Sequence, residues 1–299
     1  MVFGRAALVS LLGLVGVWAL PAAELPPDPV LQGQLQRTLA SSGLAAAVED
    51  GRMAVALVDV TDPAHPRYAG LNDRHMMYAA SLPKIAILLA GFEKISQGMM
   101  IYNPAVREMF VRLTRFSSNT DASKAIQSIG FDFIARVLQS DKYRLYDPQA
   151  NGGLWVGKAY GGPNDYWKRD PLHNLSHGAT AFQAARFFTL LAQGKLVSPE
   201  FSAEMKRILG NPGIEHKFVK GLAGLPRQIY RKSGTWGEWH SDAALIEAGD
   251  HQYVAVALMK DPKGGEVLPG LIRKLDRLIC GSGDAPAAAR SEVSAAGLN

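Results

Sequence analysis

The stretch AASLPKIAILLAGF, residues 79–92, decides how the rest of the chain is read. It sets Lys84 at the head of a run, Ile85 to Phe92, that has no polar side, and it places Ser81 three residues before that lysine. A helix that is apolar all round belongs in a core. Pro83 is tolerated only in a first turn, where no intrahelical N–H bond is lost. The pattern therefore predicts a buried helix over residues 81–98, closed by Gly98. Side chains three apart share a helix face. An ammonium is costly to bury, so the setting lowers the Lys84 pKa. A neutral lysine beside a hydroxyl can take its proton, which is how a serine nucleophile is activated. Taken alone, S-x-x-K is common, and a capping serine ahead of a surface lysine is the plain alternative.

Working outward, PDPVLQGQLQRTLASSG (residues 27–43) opens on turn residues and repeats Val30, Leu31, Leu35 and Leu39 at helical spacing, with Gly43 as its end. GRMAVALVDV (51–60) has the length of a strand. Residues 104–129 read as helical with a break near 116–120, and 130–139 as a further short helix. Residues 141–179 are rich in Gly, Asn and Asp, with Trp155, Tyr160, Tyr166 and Trp167 interspersed. A loop that long in a compact domain is usually functional, and its aromatics are expected to wall a cleft. Helical segments follow. Three strand-like runs, RQIYRKSGT, SDAALIEA and HQYVAVALM, then predict an antiparallel meander, and Val267, Leu268, Leu271, Ile272, Leu275, Leu278 and Ile279 form a last helical stripe. Strands at both ends with helices between predict one α/β lobe from about 24–80 and 218–280 and an inserted helical lobe over about 81–217.

The chain has 299 residues, 47% hydrophobic and 20% charged, an ordinary globular composition with enough apolar mass for one large domain. Residues 1–23, with Arg5 ahead of an apolar run and then small residues, read as a secretory signal peptide too short for a span of about 20 residues. The expected location is periplasmic or secreted, with no stable membrane span after signal removal. Cys280 is the only cysteine, so no internal disulfide can hold the exported fold. The formal charge of +5 contains no Lys/Arg run dense enough for a nucleic-acid groove. Residues 281–299 are small and polar, a tail expected to be disordered.

Two more motifs carry chemistry. Ser117-Ser118-Asn119 falls at the helical break, where it could relay a proton and bind an amide, or simply cap a helix. Lys232-Ser233-Gly234-Thr235 falls on a strand, offering an ammonium and hydroxyls to a carboxylate beside a glycine that permits close approach. His173 and His177 share an i,i+4 spacing, but HNLSH lacks a glutamate and a third ligand, so no metal is assigned. YGGPND lacks the Lys-Ser/Thr of a phosphate loop, and no cofactor is implied.

S-x-x-K, then S-x-N, then K-S-G, in that order on helix, helical break and strand, is the set found in class A β-lactamases and penicillin-binding proteins. On these motifs the chain, over roughly Asp28 to Ile279, resembles the serine β-lactamase family, class A-like. The resemblance implies an α/β (α+β) fold of the β-lactamase/transpeptidase type, with an antiparallel sheet flanked by helices and an inserted all-helical lobe. It implies Ser81 as nucleophile, Lys84 as its base, Ser117 as proton donor to the leaving nitrogen, and Asn119 as holder of the acylamide side chain. Lys232, Ser233 and Thr235 would bind the substrate carboxylate, and the N–H groups of Ser81 and Thr235 would form the oxyanion hole. The substrate would be a small β-lactam or a cell-wall peptide, and a monomer is expected. Alternatives are a D-alanyl-D-alanine peptidase with slow β-lactam deacylation, or a penicillin-fold binding module without turnover. One departure is plain. The family's loop glutamate, which activates water for deacylation, has no counterpart, because no Glu lies between Glu108 and Glu200. Asp147 falls nearest its place.

Overall fold

The computed structural model describes residues 25–162 and 167–281; the proposed leader and the tail after Gly281 lie outside the described residues. In chain order the first elements are α1 (Pro29–Ala40), α2 (Ala45–Glu49), β1 (Met53–Asp59), β2 (Arg67–Leu71), β3 (Met77–Tyr78) and α3 (Lys84–Ser96). Next come α4 (Pro104–Arg115), α5 (Asn119–Ile129), α6 (Phe131–Gln139), β4 (Tyr146–Asp147), β5 (Gly152–Gly153), β6 (Trp155–Val156) and β7 (His177–Ala179). The last are α7 (Ala181–Ala192), α8 (Pro199–Leu209), α9 (Phe218–Leu222), β8 (Gln228–Trp236), β9 (Trp239–Ala248), β10 (His251–Lys260) and α10 (Gly264–Cys280).

Strands from both chain ends make one antiparallel sheet, ordered β2-β1-β10-β9-β8. β1 reads as an unbroken apolar run because both its faces are covered. Ala54, Ala56 and Val58 join the core beneath the middle helices, while Met53, Val55 and Leu57 join the core beneath α1 and α10. The result is three layers, with the sheet in the middle. The hairpins that carry β8 to β10 turn through two residues each, with Gly237 and Gly249 at positive φ (54° and 60°).

α3 is the axle of the helical side. Ile85, Ile87, Leu88, Leu89 and Phe92 have no solvent exposure, and each contributes about 1.5–3 kcal/mol by leaving water. The regular helix begins at Lys84 rather than Ser81. Ser81, Leu82 and Pro83 form a tighter turn of i→i+3 bonds, in which Lys84 N donates to Ser81 O at 3.2 Å. The serine and lysine are still held within one turn.

Two further expectations are corrected by packing. Val30 lies outside the α1 stripe, 64% exposed, and the buried set is Leu31, Leu35 and Leu39. Residues 141–179 are not one loop. They fold into two-residue ladders, β4 with β5 and β7 between β3 and β6, too short to leave a period in the sequence.

β8 is fixed from outside by a buried ion pair. Arg231 Nε and Nη2 donate to Asp242 at 2.7 and 2.9 Å, with both side chains at or below 2% exposure. Asp242 also accepts from Phe218 N at 3.1 Å, which ties the start of α9 to the sheet. Removing one member leaves a buried charge unmatched. Asp242→Ala is expected to lose about 3–5 kcal/mol of unfolding free energy in urea titration; a loss under about 1 kcal/mol would contradict this role.

Candidate active site

The three motifs meet where α3, the α4–α5 break and β8 converge. Lys84 is fully buried on α3. Its Nζ donates to Ser117 O at 2.6 Å and Asn119 Oδ1 at 2.8 Å, and lies 3.3 Å from Ser117 Oγ and 4.4 Å from the centroid of the Tyr160 ring. No carboxylate is among these partners. Burial alone pulls the ammonium pKa down to about 7, which leaves a useful fraction as free amine at neutral pH. From the other side, Lys232 Nζ donates to Ser117 Oγ at 2.9 Å and to Ser233 O at 2.7 Å. Burial, then repulsion from Lys84, pushes the Lys232 ammonium well below its ordinary value. Two lysines thus address one hydroxyl, an arrangement that can pass a proton.

Backbone strain marks the same spots. Ala80, just before Ser81, has φ 50°, and Ser117 has φ 56°, a left-handed conformation that non-glycine residues hold only when their surroundings force it. Ser118 is the α5 cap, accepting from Asp121 N. Gly234 presses against the turn that holds Ser81. A Cβ there would lie 2.6 Å from Ser81 N and 2.6 Å from Ser241 Oγ, and would overlap the Ala79 carbonyl. Ser241 Oγ in turn donates to Ala79 O at 2.8 Å, stitching β9 to the same turn.

A cavity of about 730 Å³ opens onto this group, and Ser81, Asn119 and Thr235 line it. Lys84, Ser117 and Lys232 form the hydrogen-bonded layer behind that wall, and Ser233 is buried on β8, 5% exposed. Asp147 is not brought to the group. Its carboxylate pairs with Arg144 at 2.7 Å and accepts from Gln149 N at 2.9 Å, capping a short 3-10 turn. Asp170 is likewise spent on Tyr146 Oη and the N–H of His173. Among the described residues that line the cavity, none is Asp or Glu. His173 and His177 do not share a face: His173 bonds Asn151 in a turn, and His177 lies on β7 in the cavity wall. Of the loop aromatics, Tyr160 lines the cavity, whereas Trp155 and Trp167 stack on each other away from it.

Lys217 is the residue that no local pattern announced. It is 2% exposed, at φ 51°, and its Nζ donates to Gly234 O at 2.6 Å, Thr235 Oγ1 at 2.8 Å and Ser241 O at 3.2 Å. Because Lys217 fills an acceptor site on Thr235 Oγ1, the threonine's own proton is left to point elsewhere. Burial lowers the Lys217 pKa to about 8. Only its position in space reveals it, since the chain brings it to β8 through the α9 segment.

The family model of the β-lactamase enzyme family matches residues 109–281. No curated protein sequence matches the chain. Among solved structures, a β-lactamase from Sphaerobacter thermophilus superposes with a TM-score of 0.63 at 16% identity, covering 81% of this chain and 94% of its own. A point mutant of PBP-A, solved as an acyl-enzyme complex with penicillin G, gives 0.62 at 17% identity over 86% of this chain and 98% of its own. The ancestral class A β-lactamase GNCA gives 0.61 at 19% identity over 83% and 100%. Those structures share the fold, and since the family match spans more than half of the sequence, the chain belongs to the β-lactamase enzyme family.

Proposed function

We propose that the chain is an exported serine hydrolase that opens β-lactam amides through an acyl-enzyme on Ser81. The observation that supports it most is Lys84, buried without a carboxylate one turn from a serine on the cavity wall. Ser81 Oγ attacks the amide carbonyl carbon while its proton passes to the Lys84 amine. Ser117 gives its proton to the leaving nitrogen as the C–N bond breaks, and the Lys84 ammonium, 3.3 Å away, restores it. The N–H groups of Ser81 and Thr235 hold the carbonyl oxygen, with Gly234 keeping β8 close enough to share it. Lys232, Ser233 and Thr235 meet the substrate carboxylate, and Asn119 the acylamide.

A second reading has its own support. The described cavity wall carries no Asp or Glu to activate water, as suits a D-alanyl-D-alanine peptidase that keeps a β-lactam as a slow ester. Intact-protein mass spectrometry over time separates the readings. A transient penicilloyl adduct on wild type, absent in Ser81→Ala, is expected of a β-lactamase, and a persistent adduct with release of D-Ala from a muropeptide is expected of a peptidase. Binding that survives Ser81→Ala without any adduct would leave a non-catalytic binding module.

Two predictions follow from the geometry. The free amine of Lys84 is the active form, so acylation should rise with pH and reach half its plateau near the lysine's value of about 7; stopped-flow acylation flat from pH 5 to 9 would exclude Lys84 as base. Gly234→Val should slow acylation roughly 100-fold or more by prising β8 from the Ser81 amide, with the melting temperature measured alongside to show that the variant folds.

A further inference from the structure

The wall opposite β8 contains a residue with no role so far. Tyr160 is buried, yet it lines the cavity. Its backbone is pinned on both sides of its Cα by one side chain: Tyr160 N donates to Ser123 Oγ at 2.9 Å, and Ser123 Oγ donates to Tyr160 O at 2.8 Å. Its ring packs on His177, centroids 4.2 Å apart, and its hydroxyl reaches the carbonyl of Ala80, the residue before the nucleophile, at 3.4 Å. Lys84 Nζ sits 4.4 Å from the ring centroid. A water between them, bonded to the amine and resting on the ring, would need about 6 Å. Three further contacts of Nζ are to Ser117 O, Asn119 Oδ1 and Ser117 Oγ.

We propose that Tyr160 is a positioning residue that keeps water from a Ser81 ester: its ring covers one side of the Lys84 amine at a distance that leaves no room for water, which slows hydrolysis of the acyl group. This rests on the Ser81 acyl-enzyme reading above. Hydrolysis of that ester needs a water whose oxygen attacks the acyl carbon, with one proton going to a neutral base. The Ser81 Oγ–C bond then breaks and the base returns the proton to Oγ. Among the described residues, two bases adjoin the cavity, Lys84 and His177, and Tyr160 lies against both. The Nε2–H of His177 donates to Lys158 O at 3.1 Å, and its basic nitrogen, Nδ1, lies 3.5 Å from Ser176 Oγ. Burial holds the Tyr160 phenol protonated, so it is no base itself.

The test acylates wild type, Tyr160→Phe and Tyr160→Ala with benzylpenicillin, removes the excess, and follows the adduct by intact-protein mass spectrometry. Tyr160→Ala is expected to release the acyl group at least tenfold faster than wild type, and Tyr160→Phe, which keeps the ring, within about twofold of it. The pH midpoint of acylation should also move up in Tyr160→Ala as Lys84 regains solvent, a change that loosened packing elsewhere would not produce. If Tyr160→Ala does not fold, Ser123→Ala, which frees the ring's backbone anchor, should release the group several-fold faster. Release unchanged in the folded small-residue variant, or in Ser123→Ala where that variant fails, overturns the role of Tyr160 alone. No adduct on wild type overturns the Ser81 reading and this role with it.

Discussion

A buried ammonium with no carboxylate beside it is unstable as a charge, and the site is organised around that instability. From Ile85 to Phe92 α3 is apolar on every side, and its buried carboxylate, Glu93, lies nine residues on and is taken by Lys142 and Tyr143, so nothing on its own helix compensates Lys84. The compensation that exists is a carbonyl, an amide oxygen and an aromatic face. These accept hydrogen bonds from the amine in either protonation state, and they stabilise the cation far less than a carboxylate would. The same dry packing that makes α3 central to the fold therefore weakens the hold of its first residue on a proton, which is what the proposed role as base requires. Stability and chemistry arise from one cause, which is why the segment cannot be softened without losing both.

The charges around the cleft are unbalanced by design of the sequence rather than by accident of one residue. Lys84, Lys217 and Lys232 are all nearly free of solvent, while the one fully buried carboxylate close to them, Asp242, is committed to Arg231. In the reading proposed above, an anionic substrate would supply what the described residues leave out. Its carboxylate would raise the pKa of the lysine it meets and stabilise a site that is electrostatically incomplete without it.

Much of this was legible from local sequence. The eight apolar residues after Lys84, the strand runs at 228–260, the turn residues that open α1 and the capping stretch at Ser117-Ser118-Asn119 announce their elements through short-range physics. What was not legible depends on contacts between distant parts. The ladders within 141–179 are two residues long and carry no period. Lys217 matters only because Asp242 draws Phe218, its neighbour, onto the sheet. The aromatics of the 141–179 region could be counted in the sequence, but that Tyr160 rather than Trp155 meets Lys84 follows from Ser123, 37 residues away on α5. Asp147 shows the converse: it stands at the expected place in the chain, and local caps claim its oxygens.

The sheet's closure has a temporal side. β1 pairs with β10, so that Met53 faces Met259 and Asp59 faces Tyr253, and the strand that presses Gly234 against Ser81, β8, is joined to that late-arriving partner through β9. Contacts so far apart in sequence mean a high contact order and a slow search. A chain emerging from synthesis or from a translocation channel would carry its serine and lysine long before it had a working site. In the reading proposed above, reactivity would be withheld until β8, β9 and β10 are in place.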